Sequence, residues 1–210
     1  MTNPPDGTPA PEPLAMARAR SGPQRAGALM VLDDLRQVID ADRRLVEAIL
    51  PWRLNDRTPC AGWDVQALLD HLVSVNCVYG ALIRGDPPPR HDPRHVPRTG
   101  FGYTGGDLLE AFSAPGALQR GVATPLGELP GSVLAQHVVN ELVVHGWDLA
   151  RTLGQPTDLV PEVASHVLAT LTEWKPIFRH LGEACQGDEQ PAPHGAAALD
   201  RVAAILGRTV

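Results

Sequence analysis

Residues His137 to Ala150 read HVVNELVVHGWDLA and set the strongest constraint on what the chain can fold into. Valine, leucine and tryptophan recur here at helical steps rather than in alternation, so the run predicts a helix that must bury an apolar face. The same run places His137, Glu141 and His145 four residues apart. At 3.6 residues per turn, Leu134, Val138, Leu142 and Leu149 share a stripe, and Glu141 and His145 lie within about 20° of Leu134. His137 falls on the edge of that stripe and is expected to be partly exposed. A carboxylate on such a face costs several kcal/mol unless it is paired or metal-bound.

The rest of the chain supplies partners of the same kind. From Ala28, Val31, Leu35, Val38, Leu45 and Ile49 recur at three- and four-residue steps, and Pro51 ends the run. Pro59 and Gly62 mark a turn, and Asp64 is placed as the N-cap of a second helix, VQALLDHLVSVNCVYGALI, that stops near Gly85. In it His71 is centred on a stripe of Ala67, Leu68, Val75, Val78 and Leu82. Residues 86–104 read as a long Pro-rich loop, the length at which loops tend to carry function. A weaker third helix is expected from about Gly106 to Arg120. Ser132 is expected to cap a fourth, which runs to about Leu153 and is closed by Gly154. LVPEVASHVLATLTEWKPI gives a fifth helix and AAALDRVAAILGR a short terminal one. No segment shows sustained strand alternation with hairpin signals. The expected fold is all-α, an antiparallel four-helix bundle with an additional C-terminal helical tail, over residues 27–210. Residues 1–26, rich in proline and small residues, are expected to form a disordered N-terminal arm.

Composition narrows the function classes. A net charge of −6, with no Lys/Arg stripe, argues against a nucleic-acid partner. No window holds the roughly 18 apolar residues of a membrane span, and the N-terminus lacks the apolar core of a signal peptide. Three cysteines without framework spacing point to a cytoplasmic protein with reduced thiols; a monomer or homodimer is expected.

Two helices therefore aim ionisable side chains at one core. Glu141 and His145 are neighbours on one helical face, and His71 would join them from the facing helix. Two imidazoles and a carboxylate with open positions are the composition of a catalytic zinc or related divalent site. The spacing equally allows a buried Glu141–His145 acid–base couple, with His71 a separate core histidine. Asp148 can accept a hydrogen bond from a ligating histidine, or else cap or pair with a neighbouring arginine. His137 is a candidate fourth ligand or acid–base group. Arg151, at the end of the same helix, is a candidate for holding a cofactor. Trp147 faces away and is expected to pack elsewhere. Asp42 is read either as reaching the site mouth or as pointing to the surface. Cys60 is read as structural, and His91 and His95, split by Pro93, as solvated.

TPCAGWDVQALLDHLV and, downstream, ELVVHGWDLARTLGQP resemble the two core motifs of the mycothiol-dependent maleylpyruvate isomerase family. That family lies within the DinB-like superfamily of metal-binding four-helix bundles. The ending ALDRVAAILGR is similar to that of a single-domain subgroup, so the resemblance runs from about Ala28 to the C-terminus. It implies zinc, or another divalent ion such as nickel, held by His71, Glu141 and His145. It also implies mycothiol as a thiol cofactor that reaches the ion as thiolate. The activity so implied is a metal-dependent thiol transferase or isomerase acting on a small electrophile; His137 and Asp148, placed by their helical positions, are the candidate catalytic residues. The alternatives are a metal-dependent hydrolase, or a metal-binding small-molecule binding or resistance protein without turnover. The isomerase resembles a two-domain protein. Here the stretch after the fifth helix is too short for a second domain, so maleylpyruvate is not the expected substrate.

Overall fold

The structure, a computed structural model, describes residues 24–87, 99–124, 127–180 and 187–210. Most of the expected arm and the centre of the Pro-rich loop, with His91 and His95, lie outside these residues. Helix α1 spans Gln24–Glu47, α2 Val65–Arg84, α3 Thr99–Ser113, α4 Gly131–Leu153, α5 Pro161–His180 and α6 Ala198–Ile205. Single 3-10 turns occur at Pro51–Arg53 and Ala117–Gln119, and a hairpin pairs β1 (Gly121–Thr124) with β2 (Gly127–Pro130).

Helix α1 buries Val31, Leu35, Val38 and Leu45 of the stripe its periodicity marks, with Ile39 and Val46 beside them, and Ile49 just past its end is buried as well. Its wet face carries the Asp33–Arg36 and Asp40–Arg43 pairs. Each fully buried Leu or Ile contributes about 1.5–3 kcal/mol relative to exposure, whereas such surface pairs contribute about 0–1 kcal/mol. Burial of the stripe is what holds the helix. Asp64 caps α2 as expected, its Oδ1 accepting from the Ala67 amide at 2.8 Å. Gly85 and Gly154 end α2 and α4 in the left-handed conformation, with φ of 81° and 70°. Arg53 reaches the same end of α4, donating to the carbonyls of Thr152 (2.7 Å) and Leu153 (3.2 Å) that the helix leaves unsatisfied.

The bundle closes as a ring: α1 packs on α4, α4 on α2, α2 on α3 and α3 on α1. His71 meets Glu141 while Tyr79 meets His137, so α2 and α4 run antiparallel. Helices α5 and α6 pack on each other and cover the outer side of α4. As a result every residue from His137 to Ala150 is buried. The predicted stripe with a wet back is therefore replaced by a helix enclosed on all sides, the environment that a run apolar all round demands.

Four further expectations change. Helix α3 begins at Thr99, well before Gly106, because Phe101 is buried and Gly105 admits the Ile39 side chain of α1; packing overrides the poor helix propensity of the glycines. The hairpin was not legible, since its four-residue strands bury only Val122 and show no alternation. Helix α4 starts at Gly131 straight out of β2, so Ser132 lies inside its first turn rather than at its cap. Helix α2 is long and apolar enough by composition to cross a membrane, yet half of that window is buried against the neighbouring helices.

Candidate metal centre

Helices α2 and α4 bring His71, Glu141 and His145 together. Nε2 of His71 lies 3.2 Å from Oε2 of Glu141, and Nε2 of His145 lies 3.7 Å from the same oxygen. The three potential ligand atoms are all within 4.8 Å of one another. The imidazole planes cross at 77°, with centroids 4.8 Å apart. Side-chain exposure is 27% for His71 against 8% for Glu141 and 6% for His145, so the opening of the site lies on the His71 side. His71 was expected at the centre of a buried stripe. It sits instead at the margin, because Leu68, Leu69, Leu72 and Val73 take the core face.

Residues 35–150 match the family described as the mycothiol maleylpyruvate isomerase N-terminal domain. The chain belongs to that family. The match spans all three converging side chains and stops at Ala150. The chain is also 34% identical over 177 residues to an uncharacterized protein of Mycobacterium tuberculosis, in strains CDC 1551 / Oshkosh and ATCC 25618 / H37Rv. That similarity covers 81% of this chain and 93% of the relative. No solved structure matches it.

For a member of this family, the donor set fits a divalent ion on the evidence of its own geometry. Two imidazole nitrogens from different helices converge on one carboxylate oxygen, and the far nitrogen of His145 is already anchored. Its Nδ1 lies 3.1 Å from Asp148 Oδ2. Asp148 is fully buried and also accepts from Arg208, at 2.9 Å from Nη2 to Oδ2 and 3.2 Å from Nε to Oδ1. Burial opposes ionisation of Asp148. The hydrogen bonds from His145 and Arg208, with the guanidinium charge, outweigh it and hold the carboxyl below its usual range. Asp148 thus meets the candidate ligand His145 and at the same time pairs with an arginine, one far along the chain rather than a neighbour.

His137 is buried, 5% exposed, not partly exposed as its edge position suggested, because Tyr79 of α2 covers it. Its Nδ1 is 2.9 Å from Tyr79 Oη and the two rings stack at 5.4 Å. Arg151 lies away from the cluster, its guanidinium 5.9 Å from the centre of the Trp147 ring. Trp147 is buried on the outer side as expected, donating Nε1–H to Asp200 of α6 at 2.8 Å. Asp42 reaches neither the surface nor the ligand cluster. It is buried against Gly146, its Oδ2 without a hydrogen-bond partner among the described residues, and desolvation pushes its pKa well above the usual range.

Cys60 approaches His145 and Asp148, with ligand atoms within 4.8 Å. It is disulfide-bonded, which overturns the expectation of reduced thiols for this residue and removes it as a thiolate donor. Its partner lies outside the described residues, and Cys77 is free.

Three contributors escaped the sequence reading. Trp63 forms a wall of the site, its ring 4.7 Å from that of His71 and stacked 5.6 Å from that of His145. Its place beside the Asp64 cap was the available signal. Tyr79 could have been found from its position eight residues beyond His71 on the same helix. Arg208, sixty residues from Asp148, carried no local signal at all.

Proposed function

We propose that this protein is a divalent-metal-dependent enzyme that uses a low-molecular-weight thiol, mycothiol, to transfer to or isomerise a small electrophilic substrate. The observation that carries this reading is the convergence of His71 Nε2 and His145 Nε2 on one oxygen of Glu141 beside an opening. Family membership supports the thiol. His71, Glu141 and His145 would hold the ion, zinc by the chemistry of the donor set and nickel next. Such an ion supplies Lewis acidity, lowering the pKa of a thiol at its open position toward neutrality.

The chain's own groups divide the remaining work. Asp148 takes the Nδ1–H of His145 and so orients that imidazole. Trp63 lines the site and excludes water from one side of both histidines. His137 stands one helical turn from Glu141, and its hydrogen bond with Tyr79 lets the pair hold or pass a proton at Nδ1. The partners of this reading are small molecules rather than nucleic acid or membrane.

The test is direct. Protein stripped of metal and reloaded with zinc is expected to retain about one equivalent per chain and to speed consumption of mycothiol by electrophiles such as activated alkenes. His145→Ala is expected to abolish both properties. A loaded wild-type protein that, with the thiol present, neither consumes nor isomerises any electrophile would defeat the enzymatic reading. Failure to hold any divalent ion would defeat the metal reading itself.

A further inference from the structure

We propose that Arg208 is a positioning residue for the metal centre: it clamps the Asp148 carboxylate so that His145 presents Nε2 to Glu141 and His71. This rests on the metal reading above and extends it to a part of the chain that lies beyond the family match, which ends at residue 150.

The geometry is a relay of three buried groups. Arg208 is 3% exposed, Asp148 0% and His145 5%. The guanidinium contacts both carboxylate oxygens, Nε–Oδ1 at 3.2 Å and Nη2–Oδ2 at 2.9 Å. A two-point contact of this kind fixes the plane of the carboxylate as well as its position. Oδ2 is the oxygen that lies 3.1 Å from His145 Nδ1. A carboxylate held by a guanidinium has only acceptors to offer, so Nδ1 carries the proton and the Nε2 lone pair is left facing the site. Nη1 of Arg208 donates to the Leu206 carbonyl at 3.1 Å, which fastens the side chain to its own backbone turn. The terminal segment is docked independently of this clamp. Asp200 accepts from Trp147 Nε1 at 2.8 Å and from Thr157 Oγ1 at 2.9 Å. Docking and clamping are therefore separable by mutation.

The experiment measures zinc and cobalt affinity by competition with a chelator, alongside melting temperature. The full-length wild type is compared with Arg208→Met, Arg208→Lys and Asp200→Asn. Arg208→Met is expected to weaken metal binding by about 10- to 100-fold, the usual effect of losing an outer partner of a ligating histidine. Arg208→Lys should recover part of that loss. Asp200→Asn should lower the melting temperature and leave affinity at the wild-type value. In metal-free protein, nitrogen-15 NMR should find the Nδ1–H form of His145 in the wild type and a mixture in the Arg208 variants. Should Arg208→Met fail to fold, Arg208→Lys decides through the same two readouts. Unchanged affinity and tautomer in a folded Arg208 variant would overturn the proposal. An affinity loss in Asp200→Asn equal to that in Arg208→Met would overturn it as well. A wild type that binds no ion would instead bring down the metal reading on which the proposal stands, and the proposal with it.

Discussion

Gly146 leaves the space that the Asp42 carboxylate occupies. A Cβ on Gly146 would collide with Oδ1 and crowd Cγ of Asp42, so a glycine in mid-helix is here a requirement of helix packing. Gly146→Ala should therefore destabilise by about 1–3 kcal/mol through overpacking, although alanine is favoured over glycine in helices by about 1 kcal/mol. Denaturant melts of Gly146→Ala, Asp42→Ala and the double variant check it. The two changes should be strongly non-additive, with the double variant more stable than the sum predicts.

Asp42 also makes stability fall as pH rises. Its folded pKa lies above the unfolded value because burial disfavours the charge. Below the unfolded pKa the residue is neutral in both states and adds no pH dependence. Above it the unfolded chain ionises while the folded chain holds its proton, so stability drops by about 1.4 kcal/mol per pH unit until the folded pKa is reached. Asp42→Asn should remove this dependence. Its advantage over wild type, read from melting temperatures between pH 4 and 8, should grow with pH. A constant difference across that range would contradict the assignment.

Trp63 should report the ion. Its ring lies beside both His71 and His145, within reach of quenching by cobalt or nickel. Titration with either ion should lower tryptophan emission, zinc should not, and Trp63→Phe should abolish the change while leaving binding intact. Persistence of the full change in Trp63→Phe would place the ion elsewhere.

The His137–Tyr79 pair should affect rate more than metal. His137→Ala is expected to keep the ion and lower turnover by roughly 10²–10⁴-fold, as loss of a general acid or base does. Tyr79→Phe, which removes the hydrogen bond at Nδ1 and keeps the ring, should show a smaller loss in the same direction. Loss of metal along with activity in His137→Ala would make His137 a ligand.

Legibility followed locality. The stripe of Leu35, Val38 and Leu45, the Asp64 cap and the Gly154 stop depend on neighbours a turn away, and the sequence states them. His71, Glu141 and His145 were found because polar side chains among leucines and valines are costly enough to need a reason. The burial of His137 was missed because it depends on Tyr79, fifty-eight residues earlier. The start of α3 was missed because its glycines are justified only by Ile39 of another helix. Arg208 is the extreme case, since an arginine in a terminal segment normally reads as solvated surface.

The enclosure of α4 has a consequence for the order in which the molecule opens. Amide protons of a helix surrounded on all sides exchange with solvent only when the whole domain unfolds, whereas a peripheral helix can open alone. Glu141 and His145 lie on that enclosed helix, and His71 on α2, whose residues 74, 77, 78 and 79 are only partly covered. Hydrogen exchange is therefore expected to be slower on the Glu141–His145 side of the candidate centre than on the His71 side.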